Sequence, residues 1–275
     1  MIITRYENQA CNIDAHLLKN DEYCFFVLSR ILKGECRLTL TDNERIIVCH
    51  SCDPFPVWVW LPNDATEKEM EKVYCLVKEN FSLDGKYRFN LKYDLAKYFI
   101  NRGKNDGYEM KISTNMLVYN CESPTPPTNP ARGELCLATL KDLDLVTSFM
   151  NEFHKDVGID LQDINAYREK AKVLINEAHL YFWCDENGEK VAMTSYGITD
   201  DKGSVGNVFT RRDKRRMGYG ASLVYAVTEI IKAQGKMPTL YTDADYEASN
   251  GCYEKIGYKR QGSLCTLAIN TRSQI

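Results

Sequence analysis

Asn207-Val-Phe-Thr-Arg-Arg-Asp-Lys-Arg-Arg-Met-Gly-Tyr-Gly-Ala-Ser-Leu-Val224 reads as the end of a strand, a basic turn carrying two glycines, and the start of a helix. In Arg215-x-x-Gly218-x-Gly220 the glycines let the backbone turn tightly and approach a ligand closely. The free N–H groups that open the next helix point at one spot, and with the helix dipole they suit an anion such as a pyrophosphate. Glycine also serves tight strand-to-helix turns for steric reasons alone, so the context decides. The following helix carries Leu223, Val227 and Ile230 for packing on a sheet, which puts the loop at the carboxyl end of a strand, where α/β sheets bind ligands. Neither GxxxxGK[ST] nor GxGxxG is present, which counts against nucleoside triphosphates and dinucleotides and leaves a pantetheine-linked ADP.

Working outward, the helix spans Ala221 to Gln234 and stops at Gly235. A strand follows at Thr239 to Thr242, a helix from about Glu247 to Ile256 stopped by Gly257, and a strand from Tyr258. Upstream, Leu180–Cys184 and Lys190–Tyr196 flank Asn187-Gly188, a strong hairpin signal. Strand-helix-strand units beside that hairpin predict a mixed sheet in an α/β fold. Earlier still, Leu135–Ala138 reads as a strand, Thr139 as the N-cap of a helix presenting Leu143, Val146, Met150 and Phe153, and Asp163 to Glu177 as a second helix.

Four prolines in Glu122–Glu134 forbid helix and favour an extended spacer, which divides the 275 residues into 1–121, a linker 122–134, and 135–275. In the first part Asp14 to Leu32 looks helical, and Arg37–Leu40, Arg45–Cys49 and Val57–Leu61 look like strands. Thr66-Glu-Lys-Glu69 is a capping box opening a helix to about Phe81. Trp58 and Trp60 share one strand face, the usual pattern of a core.

A net charge of −3 and a pI near 5.9 give no general attraction for polyanions, so no nucleic-acid partner is expected; five cations in Arg211–Arg216 beside a helix start fit cofactor phosphates better. Eleven singly spaced cysteines read as free thiols with no disulfide, in a cytoplasmic setting. Cys49-His50-Ser51-Cys52 has the CxxC spacing, yet no second ligand pair follows it and no metal site is expected. The N-terminus has no secretory pattern, and no run of about 18 apolar residues occurs, so no membrane partner is expected.

The segments Asn207–Val224, Leu240-Tyr-Thr-Asp243 and Ser249-Asn-Gly-Cys-Tyr-Glu-Lys-Ile-Gly-Tyr258 together resemble the GNAT acetyltransferase superfamily, and within it proteins related to the C-terminal domain of glycine N-acyltransferase. The strong part covers about 135 to 260. The resemblance implies an N-acetyltransferase, transferring acyl groups other than aminoacyl from acetyl-coenzyme A to a primary amine of a small molecule or peptide, by direct attack in a ternary complex. It implies backbone contacts to the cofactor from Val208, Phe209 and Thr210 on a splayed strand, and a wrap of the pyrophosphate by Arg215, Arg216, Met217, Gly218, Tyr219, Gly220 and Ala221. Asn250 falls on the position that contacts the cofactor arm and Tyr253 on the general acid. Arg216 departs from a pattern that more often has glycine there. No general base is assigned among Glu152, Asp156, Asp243, Asp245 and Glu247. The alternative is an acyl-coenzyme A sensor or interaction module without turnover. The N-terminal half reads either as a degenerate GNAT-like α/β domain shaping the acceptor site or as an independent binding or dimerisation module, the latter giving a homodimer.

Overall fold

Strand and helix alternate as the hydrophobic periods require. The computed structural model describes residues 2–11, 13, 15–158, 161–199 and 201–270. Its strands are β1 (Thr4–Tyr6), β2 (Gln9–Ala10), β3 (Glu35–Cys36), β4 (Leu38–Thr41), β5 (Ile47–His50), β6 (Val57–Trp60), β7 (Phe89–Leu91), β8 (Met110–Asn120), β9 (Glu134–Leu137), β10 (Leu180–Cys184), β11 (Lys190–Ile198), β12 (Lys202–Thr210), β13 (Met237–Asp243) and β14 (Lys259–Ile269). Its α-helices are α1 (Phe26–Ile31), α2 (Glu67–Asn80), α3 (Tyr93–Asn105), α4 (Leu143–Asp156), α5 (Ile164–Asn176), α6 (Tyr219–Ala233) and α7 (Glu247–Ile256). Two compact units result. The first takes the chain up to Val118, with Asp243–Asp245 and the part from Gln261 onward; the second takes Tyr119–Thr242 and Tyr246–Arg260.

In the first unit the strand order is β1-β4-β5-β6-β7-β14-β8. β4–β5 and β5–β6 are antiparallel, β6–β7 is parallel across α2, and β14 returns antiparallel to β7 with Cys265 opposite Leu91. Val48, Val59, Val73, Tyr74, Phe89, Leu91, Phe99 and Leu267 fill its core. The capping box of α2 is complete: Thr66 N–H donates to Glu69 Oε2 at 2.7 Å, and Glu69 N–H to Thr66 Oγ1 at 3.4 Å. Trp58 and Trp60 are buried as expected, and Trp60 Nε1 donates to Asp21 at 2.9 Å.

The single helix expected over 14–32 does not form. Its proposed start, Asp14, lies outside the described residues. Ala15–Asp21 is a 3₁₀ stretch and only Phe26–Ile31 is α-helical. Asp21 is committed elsewhere, accepting from Trp60 and from Lys92 Nζ at 2.6 Å, which ends the local ladder and turns the buried Phe25, Phe26 and Leu28 inward.

The second unit repeats the same pairing pattern in the order β13-β12-β11-β10-β9. β10–β11 and β11–β12 are antiparallel, and β12–β13 is parallel across α6. Asn187-Gly188 turns the β10–β11 hairpin, with Gly188 at φ +75° and Asp185 Oδ1 accepting from the N–H groups of Asn187 and Glu189 at 3.0 Å. α6 buries Leu223, Val224, Val227 and Ile231 completely, each worth roughly 1.5–3 kcal/mol. Gly203 makes that approach feasible: a Cβ there would stand 2.3 Å from the Ile231 side chain.

The proline-rich stretch expected to be a spacer lies within the second unit. Thr125 N–H donates to the Ile256 carbonyl at 2.7 Å, Ala131 N–H to Ser222 Oγ at 2.8 Å, and Trp183 Nε1 to the Arg132 carbonyl at 3.1 Å. Prolines remove ladder donors but leave the carbonyls and remaining N–H groups to anchor an extended strap.

The cysteine pattern also differs from the expected eleven free thiols. Cys136 on β9 and Cys184 on β10 form a disulfide, Cα atoms 6.4 Å apart, because neighbouring antiparallel strands bring them together. Cys49 and Cys52 are not a working pair. Cys49 is buried with its Sγ 3.6 Å from Cys36, whereas Cys52 is exposed.

Candidate functional site

The site is built where β12 ends. β12 is opposed by β11 with Ser195 facing Gly206 and Met193 facing Phe209, so β12 carries one residue more than its partner over that interval. This bulge kinks the strand and re-aims its backbone groups. Asn207 occupies it at φ +51°, a conformation asparagine tolerates better than most residues. The distortion is held from both sides: Asn207 Nδ2 donates to Ser195 Oγ at 2.7 Å, and Thr194 Oγ1 donates to the Gly206 carbonyl at 3.0 Å.

On its other edge β12 pairs with β13 only from Lys202–Ser204 against Met237–Thr239. Past Ser204 the two parallel strands part, although each continues, to Thr210 and Asp243. Among the described residues no strand covers that edge of Val208, Phe209 and Thr210.

The loop that follows makes a 3₁₀ turn at Arg212–Lys214, then passes through Arg216 at φ +63° and Gly218 at φ +84° into α6. Arg216 thus takes the left-handed conformation that favours glycine, which explains why glycine suits this position. Gly218 is the N-cap of α6 and brings no side chain to its first-turn N–H groups. Two left-handed residues followed by an uncapped helix start leave backbone N–H groups pointing into one concavity, a geometry that suits an anion. Ser222, one turn in, is taken by the strap, and a Cβ on Gly218 would stand 3.5 Å from the Asn129 carbonyl.

The basic run is mostly self-neutralised. Arg211 pairs with Glu189 and with Asp213 at 2.9 Å, Lys214 with Glu189 at 3.0 Å and Asp185 at 3.2 Å, and Arg212 with Asp156 at 2.6 Å. Arg215 pairs with Asp156 through Nη2 and donates through Nε to the Thr210 carbonyl at 3.0 Å. Arg215 is therefore a brace of the loop. Arg216 is exposed and, among the described residues, has no side-chain partner, which leaves its charge unpaired. Met217 is exposed beside it.

Helix α7 packs against α6 and carries Asn250 and Tyr253, both buried, at 8% and 7% exposure. Burial pushes the Tyr253 phenol well above its ordinary pKa, with the Cys252 thiol adding to the effect, so it stays protonated through the neutral range. Its ring meets that of Tyr258 edge-on at 6.0 Å, and Tyr258 is fixed by a 2.8 Å bond between its hydroxyl and that of Thr228. A Cβ on Gly251 would meet nothing within 4 Å, so that side of α7 has room beside it. Burial likewise pushes the Cys252 thiol up, away from the thiolate a nucleophile needs.

Of the five carboxylates weighed as bases, Asp156 is tied to two arginines. Burial raises its pKa, but hydrogen bonds from Arg212 and Arg215 outweigh that and hold it below the usual carboxylate range. Glu152 pairs with Lys155 at 3.2 Å, and Asp245 accepts from Asn115 Nδ2 at 3.0 Å in the first unit. Sequence reasoning did not find the bulge at Asn207 or its brace, Ser195 and Thr194; an Asn in a strand after Gly206 was the available signal.

Residues 184–266 match the model of the FR47-like protein family. No curated protein matches the chain in sequence. The chain is similar in structure to a GNAT-family acetyltransferase from Colwellia psychrerythraea (TM-score 0.59, 12% identity, covering 98% of this chain and 100% of that one). It is also similar to a GCN5-related N-acetyltransferase from Sphaerobacter thermophilus (0.67, 12%, 96% and 94%) and to another from Kribbella flavida (0.59, 14%, 81% and 86%). At such identities the likeness concerns the fold. No helix among the described residues is long and apolar enough to cross a membrane. An FR47-like segment thus spans the bulged strand, the glycine loop and α7, within a fold like that of GNAT-family acetyltransferases.

Proposed function

We propose that the second unit binds acetyl-coenzyme A at the end of β12 and transfers its acetyl group to a primary amine of a small molecule or peptide. The observation that carries this reading is the convergence of a splayed, bulged strand end with an uncapped helix start through Arg216 and Gly218. The narrower kinship with glycine N-acyltransferase C-terminal domains is part of the same proposal and rests on the motifs at 207–224 and 249–258.

When bound, the cofactor supplies an acyl group activated as a thioester. The first-turn N–H groups of α6, with Arg216, hold the pyrophosphate, and the edge of Val208–Thr210 receives the pantetheine arm. A backbone N–H there stabilises the oxyanion that forms as the amine nitrogen bonds to the carbonyl carbon. As the carbon–sulfur bond breaks, Tyr253 holds the proton that the leaving sulfur takes. The proton lost by the amine leaves through water, Asp156, Glu152 and Asp245 being engaged elsewhere. The first unit, which repeats the antiparallel–antiparallel–parallel pairing but closes its helix start with the Thr66–Glu69 box, serves in this reading as a GNAT-like domain without a cofactor loop. A cytoplasmic setting is part of the same proposal and rests on the nine free cysteines, with the Cys136–Cys184 disulfide weighing against it.

Thermal unfolding with and without millimolar acetyl-coenzyme A, for the wild type and for a double variant with Gly218→Glu and Gly220→Glu, tests the site. Saturation at about 100 times the dissociation constant adds roughly 2.7 kcal/mol to the native state. Stabilisation of the wild type alone supports the reading; no response in either protein rejects it. A second reading, an acyl-coenzyme A sensor, is favoured by the engagement of Asp156, Glu152 and Asp245 elsewhere. It requires cofactor binding without thiol release across a panel of amines.

A further inference from the structure

The first unit holds a cavity of about 310 Å³ at the edge of its sheet opposite the start of α2, lined among others by Arg5, Glu7, Arg37, His50, Asn80 and Tyr87. That volume is at the small end of ligand sites. The proposed transferase chemistry makes no use of it. Its innermost polar group is His50, 1% exposed, whose Nε2 has no hydrogen-bond partner. A buried polar atom left bare costs free energy and calls for a ligand group or an ordered water.

The imidazole is fixed edge-on between Phe81, at 5.9 Å, and Tyr87, at 5.3 Å. Burial holds its pKa below the usual histidine value; Asp53 pulls the other way and Arg37 adds to the lowering, so the ring is neutral at pH 7 and one ring nitrogen is an acceptor. Asp53 Oδ1 lies 3.6 Å from His50 Nε2, too far for a hydrogen bond between them but close enough for one donor to reach both.

The charges come in balanced pairs, Arg5, Glu7 and Arg37 lining the cavity and Asp53 standing behind the lining, against Arg37 and His50. Arg5 donates through Nε to Glu7 and through Nη1 to Asn80 Oδ1, each at 2.5 Å, and Arg37 donates through Nη1 to Asp53 Oδ2 at 2.5 Å. Each guanidinium has five N–H donors, so both keep donors for a further carboxylate. With the arginines offset by Glu7 and Asp53, a net anion gains little, whereas a ligand carrying both charges satisfies both sides.

We propose that this cavity binds a free amino acid, its carboxylate on the guanidinium groups of Arg5 and Arg37 and its ammonium bridging His50 Nε2 and Asp53. The site is independent of the cofactor loop, so the inference stands or falls apart from the acetyltransferase reading.

The test is thermal unfolding of the full chain with millimolar L-amino acids added one at a time. Any amino acid that binds is then compared with its 2-hydroxy acid and its N-acetyl derivative, neither of which has an ammonium. At about 100 times the dissociation constant the midpoint rises by about 5 °C or more. The rise is absent with both analogues and is lost in Arg37→Met and in His50→Phe. Arg37 is half exposed and its replacement leaves the core intact, so it decides the matter if His50→Phe lowers the unliganded midpoint. The proposal is overturned if no amino acid moves the midpoint, if the shift survives Arg37→Met, or if the 2-hydroxy acid binds as well as the amino acid.

Discussion

Arg215 reaches back from the glycine loop to the strand that feeds it, its Nε 3.0 Å from the carbonyl oxygen of Thr210, while Nη2 holds Asp156 at the end of α4. One guanidinium therefore fixes the start of the loop against two elements. A hydrogen bond from a charged donor contributes about 1.5–3 kcal/mol when buried; Arg215 is 36% exposed, so roughly 1 kcal/mol is the fair figure. Arg215→Met should loosen the loop and weaken acetyl-coenzyme A binding about tenfold by titration calorimetry, with little change in melting temperature. An unchanged affinity would show that the loop holds its shape without the brace.

Arg216 is the residue whose backbone disagrees with its side chain. At φ +63° it sits in a region that costs a non-glycine residue of order 1–3 kcal/mol, while glycine there gives back part of that through unfolded-chain entropy. Arg216→Gly should thus raise the urea midpoint, by about 0.5–1 kcal/mol at unchanged slope. It should also weaken cofactor binding and flatten its salt dependence, because one phosphate-facing cation is lost. If stability rises with affinity intact, the arginine plays no part in phosphate binding.

The fold of the second unit was legible because its signals are local. Asn187-Gly188, the glycines that end α6 and α7, and the period of Leu223, Val227 and Ile230 each fix an element on their own, although it is Ile231, one residue on, that is fully buried. The first unit was harder. Phe89–Leu91 is three residues long, too short for a period, and α3 buries Leu95, Ala96 and Phe99 behind a polar remainder. Most of its interior strands are buried on both faces and show no alternation. At the site, the glycine loop was readable, but the pairing of the basic run was not, since Asp156 lies 56 residues before Arg212 in sequence and meets it only through the packing of α4. The bulge at Asn207 depends on register against β11, which sequence spacing alone does not set.

The Thr66–Glu69 box offers a contrast with the open start of α6. Thr66→Ala removes the side-chain acceptor for the Glu69 N–H and should cost about 1 kcal/mol of stability. Hydrogen bonds from Arg45 and Thr66 hold the Glu69 carboxyl down at about 2. A lowered folded-state pKa stabilises the protein above the ordinary carboxylate range, and that contribution is lost as pH falls from about 4.5 towards 2. The gap between the wild type and Thr66→Ala should therefore narrow at low pH by the share that the Thr66 hydroxyl contributes in donating to Glu69 Oε2 at 2.8 Å, and the share due to the Glu69 N–H should remain. Parallel curves throughout would place the whole cost of the substitution in the N–H cap and none in the carboxylate.

Tyr253 carries the most direct prediction about turnover. Burial keeps its phenol protonated beyond its ordinary pKa, so the acid form persists across the whole range in which an amine acceptor becomes neutral. The rate should rise with pH as the amine loses its proton and should show no falling limb from the tyrosine below about pH 10. Tyr253→Phe keeps the ring and its packing on Tyr258, and removes only the proton donor. Because the coenzyme thiolate leaves readily, kcat should fall only about tenfold while KM for acetyl-coenzyme A stays put, less than the roughly hundredfold or more that general acid catalysis typically contributes. The stability side has its own sign: the unfolded chain ionises this tyrosine near pH 10 while the folded one resists, so stability is full below that pH and declines above it. In Tyr253→Phe that part of the decline disappears. A variant with undiminished kcat but a flattened alkaline unfolding curve would leave Tyr253 as a packing residue and place the proton elsewhere.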